Sequence, residues 1–249
     1  MDAERRNRQF WDKDADAYQD RHGGRLQHTA RAWGVWRIPE DELHVLGDIE
    51  GRDVLELGCG AAQWSVALAA DGARTTGVDQ SRAQLTHARD AVDHAGVAVS
   101  LLLASATAVP IADQSFDIVF CDHGAMSFCD PAQSVPEVAR LLRPGGLLAF
   151  SAATPLVYFT YDEVRDRQTR RLRNRAFGRR EWSGDDGTSD FCVPTGEWLR
   201  RFHAHGLVPE DLIELRAPKG ATTTFADYVP YRWARRWPAE QIWKVRKQS

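Results

Sequence analysis

The residues best suited to chemistry fall in three short stretches. In the first, residues 53–65, an apolar run of β propensity reaches Glu56 and breaks at Gly58 and Gly60. It then resumes as helix-compatible residues up to Ala70. That pattern reads as strand, glycine turn and helix. The glycines admit backbone conformations closed to residues with a Cβ. They also let a ligand approach the main chain where the helix offers free N–H groups. The second stretch ends at Asp79, 21 residues after Gly58, on a strand expected over 74–78. A carboxylate at that place can accept hydrogen bonds from both hydroxyls of a ribose. The third is Asp122-His123, at the C-terminal edge of a strand expected over 118–121. His123 is a candidate general base. Adjacent residues on a strand point to opposite sides, so the two are not expected to act as one dyad. The blander reading has Asp122 capping a turn and His123 lining a pocket. His22, in the N-terminal segment, is a second candidate base.

The details of the turn separate the nucleotide-binding families. A dinucleotide site has G-x-G-x-x-G spacing, and its third glycine would fall on Gln63. Here an acidic residue, Glu56, instead precedes Gly58 by two positions, and Ala62 stands where a further glycine would complete G-x-G-x-G. This arrangement resembles the first motif of the class I S-adenosylmethionine-dependent methyltransferases. The likeness extends through Asp79, the strand entry Ser115-Phe116-Asp117 and the turn Arg143-Pro144-Gly145-Gly146. It implies S-adenosylmethionine as cofactor, whose sulfonium and ammonium charges favour a nearby carboxylate. It further implies cofactor contacts from Glu56, Gly58, Cys59, Gly60, Gln63 and Trp64 at the first turn. Asp79 and Gln80 would follow the second strand, with Ser105 and Ala106 after the third. Asp122 lies at the fourth, and Tyr18 comes from an N-terminal cap. In this family an acidic residue often stands at the Ser105 position and contacts the adenine amino group. Alanine at position 62 is expected to leave less room beside the turn.

The elements that must position these residues read as an α/β chain. A Rossmann-like, seven-stranded, mostly parallel sheet with helices on both faces is expected. The 249 residues are taken as a single domain: a helical cap over 1–50, a cofactor-binding core over 51–152, a helical lid insertion over 153–194, and the end of the sheet with a Trp-rich tail over 195–249. Phe10, Trp11, Ala15 and Tyr18 form an apolar stripe at helical spacing. Residues 97–103 read as a buried strand. Ser81 and Gln84 suit a capping box, and Ser134 with Pro136 suits a helix start. Residues 207–215 and 221–225 are the expected sixth and seventh strands. The tail, with Trp233, Trp237 and Trp243, is expected to dock on the N-terminal aromatics.

Composition narrows the classes. The net charge of −3 gives no global reason to expect nucleic acid. Four cysteines without C-x-x-C pairing read as reduced thiols of a cytoplasmic protein. No signal peptide or membrane span is visible, and no ligand spacing suggests a metal site. The leading expectation is methyl transfer to a small-molecule acceptor, a metabolite or natural product, by a monomer or homodimer. An RNA methyltransferase using the insertion's eight arginines between Arg165 and Arg180 is the runner-up. A cofactor-retaining protein or cyclase that transfers no methyl is the third reading.

Overall fold

The computed structural model describes residues 3–184 and 187–249. Asp185 and Asp186, two acids of the insertion, lie outside the described residues. The chain opens with helix α1 (Ala3–Tyr18), which runs into a π-helical turn, Gln19–Gly23, and a short helix, Gly24–His28. The rest of the cap is less helical than expected: Ala32–Trp33 pairs with Ile38–Pro39 as a small antiparallel ladder before a one-turn helix, Glu40–Leu43.

The central sheet follows. Its strands are β1 (Asp53–Leu57), β2 (Arg74–Asp79), β3 (Val99–Leu103), β4 (Phe116–Asp122), β5 (Leu142–Ala153), β6 (Leu207–Leu215) and β7 (Glu240–Lys247). Their spatial order is β6-β7-β5-β4-β1-β2-β3. Strands β1 to β5 pair in parallel, and β7 lies antiparallel between β5 and β6. Helices α2 (Gln63–Ala70), α3 (Arg82–Ala95), α4 (Pro131–Leu141) and α5 (Thr195–Ala204) complete the layers.

Strand alternation decides which layer each residue joins. In β1, Leu55 and Leu57 join one core with Val135 and Val138 of α4 and Trp198 and Phe202 of α5. Val54 joins the other, with Trp64 and Leu68 of α2. Both faces of the central strands are buried, which explains their nearly continuous apolar runs. The same kind of run misleads at the margin, however: β3 is an edge strand, and its Leu103 is exposed.

Several expectations need correction. The seventh strand is β7, not 221–225. The latter stretch is an irregular loop whose Thr222, Thr223 and Thr224 offer no apolar face. The tail therefore splits: Trp233 and Trp237 pack with Trp36, while Trp243 sits in the sheet against Phe202. The insertion over 153–194 is not a helical lid. It holds one short helix, Pro155–Thr160, and two small antiparallel ladders, Tyr161–Asp162 with Arg167–Gln168 and Glu181–Ser183 with Ser189–Phe191. Its side chains show no helical apolar stripe to bury. Helix α4 begins at Pro131 with Asp130 as its cap, so Ser134 and Pro136 fall inside it.

Candidate functional site

A cavity of about 490 Å³ opens at the C-terminal ends of β1, β2 and β4, where open α/β sheets bind ligands. Its floor is the glycine turn. Gly58 has φ +72°, and a Cβ added there would lie 2.6 Å from the Ala125 nitrogen, so backbone already fills that space. Gly60, at φ +53°, faces the cavity, with only the Gln84 side chain near an added Cβ. Ala62 also takes a left-handed conformation, φ +56°. Its methyl packs with Leu85 and Ala88 of α3 and does not line the cavity, so it removes no room there.

Asp79 binds the turn to the next helix. One oxygen accepts from the Gly60 N–H (2.9 Å) and the other from the Ser81 N–H (2.8 Å). Burial pushes its carboxyl above the usual carboxylate range, against those hydrogen bonds. Glu56 lies on the α2 side of β1 and is buried. Its Oε2 accepts from the Ser65 N–H (3.0 Å) and hydroxyl (2.6 Å). Burial raises its pKa to about 8, with the charges of Asp122 and Asp79 adding to the rise.

The cap roofs this floor. A chain of amides runs across it: Gln63 Nε2 donates to Gln19 Oε1 and Gln19 Nε2 to Gln84 Oε1, each at 3.0 Å. Ser81 Oγ accepts from the Gln84 N–H as the predicted cap, but the Gln84 side chain serves Gln19 rather than closing the box. Tyr18 lines the cavity between Trp11 (5.4 Å) and His22 (4.7 Å). Burial pushes its phenol above the ordinary value, and the Asp122 charge adds to this. Cys59, Gln80, Trp64 and Ala106 also line the cavity. Ser105 does not. It accepts from the Thr107 N–H and faces a separate depression beside Glu4, Arg8 and Arg82.

The Asp122 and His123 side chains take different partners. Asp122 Oδ1 accepts from the Gly34 N–H (2.8 Å) and the Ser151 hydroxyl (2.5 Å), while Oδ2 pairs with buried Arg37 at 3.0 Å. Its carboxylate is thus occupied in holding the cap to β4. His123, at φ +51°, directs Nε2 to Glu240 Oε1 at 2.6 Å. Sequence reasoning gave no signal for Glu240, which lies 117 residues away in what read as a tail. Burial pulls the His123 pKa down, but the Glu240 hydrogen bond and the charges of Glu240, Asp122 and Asp190 outweigh it and raise it overall. His22 stands on the cap, stacked on Phe225 at 4.1 Å with Nδ1 on the Thr224 hydroxyl. Burial, with Arg21 adding to it, lowers its pKa.

Residues 55–150 match the family model described as a methyltransferase domain. This stretch, less than half of the chain, is similar to the class I S-adenosylmethionine-dependent methyltransferases. Over 131 residues it is 41% identical to Methyltransferase GfsG of Streptomyces halstedii, covering 51% of this chain and 46% of that one. Over 109 residues it is 37% identical to a ubiquinone biosynthesis O-methyltransferase of Alkalilimnicola ehrlichii, covering 43% of each. The chain thus spans just under half the length of these relatives. Its fold resembles that of an S-adenosylmethionine-dependent methyltransferase from Mesorhizobium loti, with TM-score 0.66 and 20% identity over 82% of this chain and 95% of that one.

The cavity fits S-adenosylmethionine on its own chemistry. The carboxyls of Glu56 and Asp79 both line the cavity and are shifted by burial towards their protonated forms. A sulfonium or ammonium group beside them would favour their ionised forms. Each Asp79 oxygen carries one backbone N–H and keeps acceptor capacity for a hydroxyl. Trp64 Nε1 and the Ser127 hydroxyl are buried on residues of the cavity wall without a hydrogen-bond partner among the described residues.

Proposed function

We propose that this chain transfers the methyl group of S-adenosylmethionine to a small-molecule acceptor. The carrying observation is that one cavity joins the glycine turn and Asp79 to His123, so a cofactor and an acceptor can share one space. In this reading Asp79 takes the ribose hydroxyls, Gly60 and Cys59 flank the nucleoside, Ala106 and Gln80 border the base, and Glu56, Gln63, Trp64 and Tyr18 surround the charged end. Asp122 acts through Arg37, fixing the cap, and Ser105, outside the cavity, makes no cofactor contact. When bound, S-adenosylmethionine supplies an electrophilic methyl on sulfur. The protein then has to align an acceptor behind that methyl and exclude water, which can supply much of the rate. His123 is placed to take a proton from the acceptor. His22, held by Thr224 and stacked on Phe225, forms part of the acceptor wall.

Relatives named for ubiquinone biosynthesis and demethylmenaquinone methylation support a small, ring-bearing acceptor, as do Phe128, Tyr158, Phe225 and Tyr228 around the cavity. The RNA reading loses ground, since much of the arginine cluster is internally paired. Arg165 and Arg173 meet Asp162, Arg179 meets Glu163, and Arg180 meets Asp130 and Glu197. The test is native mass spectrometry with S-adenosylmethionine, followed by exposure of the complex to a metabolite extract. S-adenosylhomocysteine and a methylated small molecule are expected. Methylation confined to added RNA would contradict the small-molecule reading.

A further inference from the structure

Glu240 is the most deeply buried carboxylate that touches the candidate base. It is 1% exposed, on strand β7 between β5 and β6. Its Oε1 accepts from the Val35 N–H at 2.7 Å and meets His123 Nε2 at 2.6 Å, and its Oε2 has no partner among the described residues. Oε1 already serves as an acceptor for the Val35 N–H, and in the same role toward the imidazole it takes its second hydrogen from Nε2. The His123 backbone is fixed as well, because its N–H donates to the Ser151 hydroxyl at 3.0 Å. The Tyr228 ring stands edge-on to the imidazole at 5.7 Å. The remaining ring nitrogen is Nδ1, on a residue of the cavity wall.

We propose that Glu240 is a positioning residue: it holds His123 as the Nε2–H tautomer, leaving the Nδ1 lone pair to take the proton of a hydroxyl acceptor. This rests on the methyltransferase reading. The acceptor oxygen forms the new bond to the methyl carbon as the S–CH3 electron pair returns to sulfur. The hydroxyl proton passes to Nδ1, the resulting imidazolium is held against the Glu240 carboxylate, and the proton leaves later to water. A carboxylate or thiolate acceptor would need no such base. An amine would arrive as an ammonium and seek a carboxylate. Glu240 is turned through Oε1 to His123 and Val35, Asp122 is taken by Arg37, Gly34 and Ser151, and Asp190 accepts from the Tyr158 hydroxyl (3.4 Å). A neutral hydroxyl is the acceptor that uses the dyad without disturbing these pairs.

Nitrogen NMR of the full chain with S-adenosylhomocysteine reads the tautomer directly. Wild type should show His123 protonated at Nε2. Glu240→Gln should lower the His123 pKa by about one unit or more, and Glu240→Asp should recover part of it. The groups facing this imidazole are Glu240, Asp122 and Asp190, and only the first is changed. An Nδ1–H tautomer in the wild type overturns the proposal whether or not a variant folds. So does an unmoved pKa in a folded Glu240→Gln. The acceptor class is read on the product isolated from the metabolite extract. A methyl on a former hydroxyl supports it, and one on a thiol or carboxylate overturns it. Absence of any product contradicts the transferase reading and leaves the tautomer result standing on its own.

Discussion

Glu56 is a carboxyl held far from ordinary behaviour at the level of single residues. Its carboxyl has a pKa near 4.5 when solvated and about 8 in the folded chain. Between those values the folded state holds a proton that the unfolded state has released, so this residue's contribution to stability falls as pH rises through the window. Glu56→Gln keeps an oxygen for the Ser65 N–H and removes the titration. The variant should gain on the wild type in thermal melts between about pH 5 and pH 8. Parallel melting curves across that range would contradict the burial argument. Glu56, Gly58, Gly60 and Asp79 were legible in the sequence because their job is local: a turn needs its glycines within a few positions, and Asp79 caps the same turn. Ser105 was misjudged because its hydroxyl bonds to the Thr107 N–H, a competition between side chain and backbone that a motif does not reveal.

The cap is the element that turns a cleft into a cavity. Asn7, fully buried on α1, exchanges hydrogen bonds with the backbone of Ser189 and donates to the Phe128 carbonyl. This ties the helix to the insertion. Further along, Asp12 accepts from the Ser81 hydroxyl, and Gln19 bridges Gln63 and Gln84. The π-helical turn at Gln19–Gly23 aims Gln19 and His22 at the cavity, a common use of such local widening. Gln19→Ala should remove two hydrogen bonds, costing about 1 kcal/mol for each. Amide hydrogen exchange over 19–28 should speed up while the exchange of β1 stays unchanged. Equal exchange in the variant would show that the amide chain does not hold the cap. The helical stripe of α1 was readable from spacing. The insertion was not, since its arginine-rich stretch fits an exposed helix as well as the irregular chain it forms between two small ladders, and its fixing contacts come from distant Asn7 and Asp130.

The whole molecule depends on a strand that its sequence disguises. β7 pairs with β5 and β6 along almost its full length and carries both Trp243 and Glu240. Its polar residues, Glu240 and Gln241, are buried along with Ile242 and Val245, so neither alternation nor an unbroken apolar run marks it. Tertiary pairing overrides local pattern here. Trp243 is 1% exposed and packs on Phe202 and Trp198. Trp243→Ala should cost about 3–5 kcal/mol in urea unfolding, and a loss under about 1 kcal/mol would place β7 outside the cooperative core. The parallel part of the sheet was legible because each strand ends in a turn signal of its own. The central claim is that the cavity at the ends of those strands holds S-adenosylmethionine through Asp79. Calorimetric titration of the cofactor into the wild type and Asp79→Ala tests it most directly. Saturable one-site binding that weakens by about 3 kcal/mol in the variant, roughly a hundredfold or more, is the predicted result. No binding to the wild type, or equal affinity in both proteins, would contradict it.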